Sequence, residues 1–295
     1  MHMRIWTFTF LITILITACR APGVSQIAEY PERERILPPS LSVVAWNAEK
    51  GGDPKFKSDL RTLIREQQPD FVFLQEAKAD LLETNQIGGH FAGSWKYPRP
   101  GGPTIGLLTL SRIPPERVQP VPTRGREFLV TAPKLSLITE YPLPNGDSLL
   151  AVNVHLLTFE RWATINVRAQ LDELRSIITA HPGPLLLAGD FNTWNQKRLD
   201  LVDELAEELQ LTEVTGFPAG RHTAGLGASF MNWVFGIDKD LPLDRVYYRG
   251  FRHHTARVLP YDSSDHRAIL VTLVLPPGPG QTAQHTEASY LGDAR

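Results

Sequence analysis

From Leu41 onward the chain alternates short apolar, β-rich runs with stretches whose apolar residues recur at helical spacing. Leu41 to Trp46 reads as a strand. Pro54 to Gln67 reads as a helix with Phe56, Leu60, Leu63 and Ile64 on one face, and Phe71 to Leu74 as a second buried strand. The segment thus begins with a β-α-β unit. Ile105 to Leu110 is another strand, and Leu135 to Tyr141 and Ser148 to Val154 flank Pro144-Asn145-Gly146-Asp147, a hairpin signal because Asn-Gly tolerates positive φ. Glu160 to Ala180 is helical through Leu171, Leu174, Ile177 and Ile178. Pro184 to Ala188 returns to strand and Arg198 to Leu209 to helix, and Arg245 to Tyr248 and Ala268 to Val274 supply the last strands. Crossovers and hairpins in one chain exclude both a purely parallel sheet and an all-β sandwich.

The two ends read differently. Arg4 precedes an apolar run, Ile5 to Ile16, too short to span a bilayer comfortably and laid out like a secretory signal. Leu15-Ile16-Thr17-Ala18-Cys19 is similar to the bacterial lipobox, in which the cysteine is lipidated after cleavage. A plain signal or an uncleaved anchor is the competing reading. Residues 1–18 are therefore expected to be a lipoprotein signal peptide and 19–40, with Pro22, Pro31, Pro38 and Pro39, a lipidated tether. Residues 41–275 are expected to form one catalytic domain and 276–295 a flexible tail. A lipid on Cys19 would place the chain in the cell envelope, with the membrane as a partner.

Composition narrows the function. A chain of 295 residues, 42% hydrophobic, buries a full core. Its 30 basic and 32 acidic side chains nearly cancel, so no global field attracts a polyanion and any affinity for phosphate must be local. The single cysteine excludes an internal disulfide and, without a metal-binding helix motif, argues against a dedicated zinc site.

Six apolar runs end or begin on a polar or ionisable residue where a loop should lie, the place where rigid sheets present chemistry. They are Trp46-Asn47, Gln75-Glu76, Asn153-Val154-His155, Gly189-Asp190-Phe191-Asn192, Leu243-Asp244-Arg245 and Ser264-Asp265-His266. Each alone has a plain explanation: Asn47 ending a strand, Glu76 capping a helix, His155 half-buried in the core, Asp190 in an Asx turn. Six in one chain are hard to assign to chance. Their carboxylates and amide make an oxygen-rich site suited to Mg²⁺, or to Mn²⁺ in its place, and their two histidines supply proton transfer near neutrality.

In this order the set resembles the endonuclease/exonuclease/phosphatase superfamily over roughly residues 41 to 275. Gly-Asp-Phe-Asn and Ser-Asp-His are its most specific pieces, and Leu110-Ser111-Arg112 adds to them. Pro133-Lys134, Thr139-Glu140-Tyr141-Pro142, Phe191-Asn192-Thr193-Trp194 and Leu243 to Gly250 look closer still to one bacterial branch. The resemblance implies an α/β fold, a four-layer sandwich of two packed mixed sheets flanked by helices, with the site at one rim. It implies Glu76 as principal metal ligand, with Asn47 beside it and Asp265 helping to hold or orient the metal. It implies Asp190 as the group that deprotonates the attacking water, Asn192 on a phosphate oxygen, and His266 on the phosphoryl oxygens, oriented by Asp244. His155 would meet the phosphate or the leaving group. Lys50, Arg112 and Lys134 are candidates to cradle the substrate phosphate.

The expected activity is divalent-metal-dependent hydrolysis of a phosphodiester by a monomer, with nucleic acid the first substrate considered. Phe159, Trp162, Trp194 and Trp233 are candidate stacking surfaces. A phospholipid or sphingomyelin phosphodiesterase is the second reading, with Gly225 to Val234 as its apolar hairpin. A catalytically dead envelope binding module is the third.

Overall fold

In the computed structural model, residues 23–31, 36–81, 86–96, 104–123, 125, 134–158, 164–215 and 241–276 are described. Phe159, Trp162, Trp233 and the Gly225 to Val234 segment lie outside them.

The strands are β1 (Val24–Ala28), β2 (Ser40–Asn47), β3 (Phe71–Lys78), β4 (Gly88–Lys96), β5 (Thr104–Ser111), β6 (Arg117–Pro122), β7 (Leu135–Pro142), β8 (Ser148–His155), β9 (Leu185–Asp190), β10 (Thr212–Glu213), β11 (Asp244–Arg249), β12 (Arg252–Val258) and β13 (Ile269–Val274). They build two mixed sheets, ordered β1-β4-β5-β3-β2-β13-β12 and β10-β11-β9-β8-β7-β6. Each sheet has one parallel pair at its heart, β2 with β3 and β8 with β9. The C-terminal ends of those four strands define the rim that carries the site.

Burial on both faces explains why these strands are near-continuous apolar runs. Between the sheets lie Val43, Phe71, Phe73, Tyr141, Leu186, Val246 and Val271, all buried. Outside the first sheet packs helix α1 (Phe56–Gln67), whose buried face is Phe56, Leu60, Leu63 and Ile64, as the periodicity predicts. It ends where Gln68 turns left-handed, φ 44°, ahead of Pro69. Against the second sheet pack α2 (Ile165–Thr179) and α3 (Gln196–Glu208), through Leu171, Leu174, Ile178, Val202 and Leu205. The α3 N-terminus is capped by Asn195, which accepts from the Arg198 amide at 3.0 Å. These are the four layers the sequence predicts.

Part of the stretch expected to be tether is strand: β1 pairs antiparallel with β4 along the edge of the first sheet. No helix of the described residues is long and apolar enough to cross a membrane.

Candidate active site

At the β3–β5 pair the register slips between Leu74 and Ala77, so Gln75 and Glu76 form a bulge, and Glu76 takes a left-handed backbone, φ 47°. The bulge is braced from the other sheet. Asn153, fully buried on β8, donates through Nδ2 to the Leu74 and Leu108 carbonyls at 3.2 Å each, and its Oδ1 accepts from Gln75 Nε2 at 2.8 Å. Glu49, Lys50 and Asn192 also have positive φ. With Glu76 they put four of the seven such non-glycine residues of the described chain at this rim, where strain is maintained because neighbours over-determine it.

Glu76 is nearly buried and held by two ammonium groups: Lys50 Nζ on Oε2, and Lys134 Nζ at 3.3 Å from Oε1. Burial alone would raise its pKa. The ammonium charges of Lys134 and then Lys50 overcome that and hold it well below the usual carboxylate range. Glu76 is therefore an anion at every working pH.

Asp190 ends β9 and is 2% exposed. Its Oδ1 accepts the Asn192 amide at 2.9 Å and its Oδ2 accepts from Asn47 Nδ2 at 3.0 Å. The same Oδ2 lies 3.4 Å from His155 Nε2 and 4.0 Å from His266 Nε2. Burial pushes its pKa up to about 6, the His266 charge opposes, and Asp244 adds to the rise. A carboxylate so placed is ionised at neutral pH yet basic enough to take a proton.

His266 Nδ1 meets Asp244 Oδ2 at 2.6 Å. Burial lowers the imidazole pKa, but the Asp244 charge and hydrogen bond, then Asp190 and Asp265, raise it to about 10. Burial raises Asp244 as well. One proton lies between them, and it belongs to the stronger base, the imidazole. Ser264 fixes the turn by donating to the Asn47 carbonyl at 2.7 Å and accepting from the His266 amide at 3.1 Å, while Trp46 Nε1 donates to the His266 carbonyl at 3.1 Å. Asp265 is exposed, its amide on Glu49 Oε2 at 3.1 Å.

His155 lies 3.0 Å from Lys134 Nζ. An ammonium only donates, so Nε2 accepts and the ring proton sits on Nδ1. Burial first, then Lys134, push the His155 pKa well down. The residue is neutral, and its polar neighbours are Lys134 and Asp190 rather than a carboxylate from β5.

The structure therefore brings Asn47, Lys50, Glu76, His155, Asp190, Asn192, Asp244, Asp265 and His266 to one rim. It does not bring Arg112 there. Arg112 follows β5, which runs antiparallel to β3, and it bonds the Pro69 and Gln68 carbonyls and faces Asp70 at the opposite end, about 20 Å from Glu76 along the strand. Trp194 is also no stacking platform: it is 7% exposed, Nε1 donates to the Thr158 carbonyl at 2.9 Å, and Arg198 covers its ring. Arg198 was not anticipated. Its buried guanidinium clasps the Asn192 and Leu157 carbonyls, joining the loops after β8 and β9. The signal was an arginine in line with the apolar face of Leu201, Val202 and Leu205.

A model of the Endonuclease/Exonuclease/phosphatase family matches residues 44–266, the span that holds all of these groups. The chain belongs to that family. Among its relatives, a UPF0294 protein of Vibrio vulnificus is 32% identical over 241 residues, 80% of this chain and 78% of the relative. A UPF0294 protein of Yersinia enterocolitica is 33% identical over 234 residues, 78% and 82% of the two. Family structures from Beutenbergia cavernae (TM-score 0.60, 20% identity, 80% of this chain and 72% of that one) and Leptotrichia buccalis (0.61, 15%, 79% and 99%) share the fold. The family includes metal-dependent nucleases and phosphatases, and its fold generally uses a divalent ion.

Glu76 is the hard, ionised oxygen donor such an ion takes, and the ion would displace the Lys50 and Lys134 ammonium groups that pair with its two oxygens. Asp190, Asp244 and His266 have ligand atoms within 4.8 Å of one another. That trio is a poorer cation site, because a protonated imidazole has no free lone pair and Asp244 is committed to it.

Proposed function

We propose that this family member is a Mg²⁺-dependent phosphodiesterase of the cell envelope that drives water onto phosphorus. The observation that carries the reading is Asp190 Oδ2, one basic oxygen facing Asn47, His155 and His266 together. Asp190 takes the proton of the attacking water. Protonated His266, held by Asp244, meets the charge that grows on the phosphoryl oxygens. Lys134 and Lys50 neutralise charge at Glu76, and Asn192 contacts a non-bridging oxygen. Glu76, Asn47 and Asp265 would hold the ion, which supplies Lewis-acid polarisation of the phosphoryl group. An intact set of ionisable groups with separated pKa values favours catalysis over the dead binding module.

The full chain, tested with Mg²⁺ and with EDTA against plasmid DNA, RNA, sphingomyelin, phosphoinositides and a nitrophenyl phosphodiester, should show metal-dependent turnover of one class. Complete turnover in EDTA would refute the metal assignment. Glu76→Gln keeps the shape and removes the charge, and should raise the Mg²⁺ needed for half-activation by more than about 10-fold.

Nucleic acid is the first substrate class to test; of the four aromatics considered for stacking on a base or meeting a lipid, Trp194 turns inward and serves neither. For location, a lipid on Cys19 is the reading the lipobox supports. Cys19→Ser should abolish lipoprotein processing, so that the chain carries no lipid and keeps its apolar N-terminal run, a difference that mass spectrometry reads; a variant still processed normally and equally membrane-bound would contradict the anchor.

A further inference from the structure

The N-terminus enters the fold at the catalytic rim. Val24 on β1 pairs with Ala92 on β4, and Ala92 with Leu107 on β5. Leu107 lies opposite the Gln75–Glu76 bulge, between the pairs Leu74–Leu108 and Ala77–Gly106. Val24 and Glu76 are thus level with each other, three strand spacings or about 14 Å apart. Because β1 runs antiparallel to β3, the chain arrives at this rim and travels away from it. The far end of the molecule is marked by the exposed β7–β8 turn at Asn145, since β8 reaches the rim only at His155.

Four residues separate Cys19 from Val24, and the five Cα–Cα steps between them span at most about 18 Å even fully extended. The apolar run before them ends at Ile16, so a lipid on Cys19 and an uncleaved anchor would both release the chain within a few residues of Gly23. A lipid on Cys19 would tether the protein by its catalytic end on a leash shorter than the eight-residue β8 is long, about 27 Å, and an uncleaved anchor would do so on a leash of about that length.

We propose that the N-terminal attachment holds the catalytic rim against the bilayer, so that the phosphate ester cut by Asp190 and His266 is carried in the headgroup layer of phospholipids. This rests on the reading of the chain as a membrane-held phosphoesterase. It turns membrane attachment from a matter of address into one of substrate selection: a bond presented at the surface meets the site at high effective concentration, whereas a polymer in bulk solution must reach a rim that the bilayer covers.

Two measurements on the full, lipidated chain in phosphatidylcholine–phosphatidylglycerol vesicles test the idea. In the first, Asp80→Cys and Asn145→Cys variants are each labelled with a fluorophore; both positions are exposed and outside the catalytic set, one just past β3 and the other at the far end. A nitroxide lipid in the headgroup layer should quench the probe at position 80 strongly and the probe at 145 weakly. Equal or reversed quenching, or failure of the chain to bind vesicles, overturns the orientation.

In the second, a flexible spacer of about 40 residues, roughly 35 Å in mean reach, is inserted after Pro22. Turnover of vesicle phospholipid should fall at least about fivefold, with a soluble nitrophenyl phosphodiester unaffected. Preferential cleavage of plasmid DNA by the vesicle-bound protein, or no effect of the spacer, overturns the substrate assignment. Loss of turnover on every substrate with the quenching pattern intact would instead refute the phosphoesterase reading and leave the orientation standing.

Discussion

Asp190→Asn is expected to lower kcat by about 100- to 10,000-fold, the range for losing a positioned general base. The amide is isosteric, and its remaining oxygen can accept from Asn192 or Asn47 as the carboxylate does. Circular dichroism and the melting temperature should stay close to those of the parent. What disappears is the group that receives the water proton, and with it the acidic arm of the pH–rate profile, which in the parent should fall as pH drops through about 6. A well-folded Asp190→Asn protein with near-parental kcat on its best substrate would remove Asp190 from the mechanism.

His266→Asn should lower kcat by roughly 100-fold or more with little change in substrate affinity, because the lost contact strengthens only as negative charge develops on phosphorus. The sign of the pH effect follows from the geometry. Asp244, at 2.6 Å, raises the His266 pKa to about 10, so the catalytic cation persists through neutrality and is lost as pH rises through that value. Asp244→Asn removes the dominant raising charge, so the basic arm should move to lower pH, with a milder loss of kcat than in His266→Asn. A basic arm that stays in place would show that the cation on His266 is not what the reaction uses.

Most of the fold was legible because its central strands are buried on both faces and therefore spell out unbroken apolar runs. The elements that were not legible each lack that signature for a physical reason. β4 is interrupted by Gly88, Gly89 and Gly93, where the side chains of Tyr30, Leu110 and Thr104 take the space a Cβ would fill. β6 carries Pro120 and Pro122, tolerable because it is an edge of the second sheet, and β12, an edge of the first, carries Arg252, His253 and Arg257. β1, only half-buried, read as tether.

The site was legible where it sits at strand ends, since each polar residue there interrupts an apolar run. Chain direction across the sheet was not legible. Arg112 stood in the right order of motifs but follows a strand that runs toward the other rim. The Lys134 contact with Glu76 and His155 joins the two sheets and has no local signature, so Lys134 read only as one basic residue among several. Asn153 and Gln75, polar residues inside apolar strands, were visible in the sequence, but their brace on the bulge required the sheets to be stacked.

The order of the strands carries a consequence for biosynthesis. β13, the last strand of the described residues, does not sit at an edge; it inserts between β2 and β12, inside the first sheet. The turn bearing Ser264 and His266 reaches back to Asn47 and Trp46 across more than two hundred residues of chain. A chain emerging from the ribosome or from an export channel is therefore chemically silent until nearly all of it is out, with β2 exposing an unpaired flank in the meantime. The closing step joins distant segments and is slow by topology, so the nascent protein needs shielding from aggregation, and truncated products lack the Asp244–His266 pair on which the proposed chemistry relies.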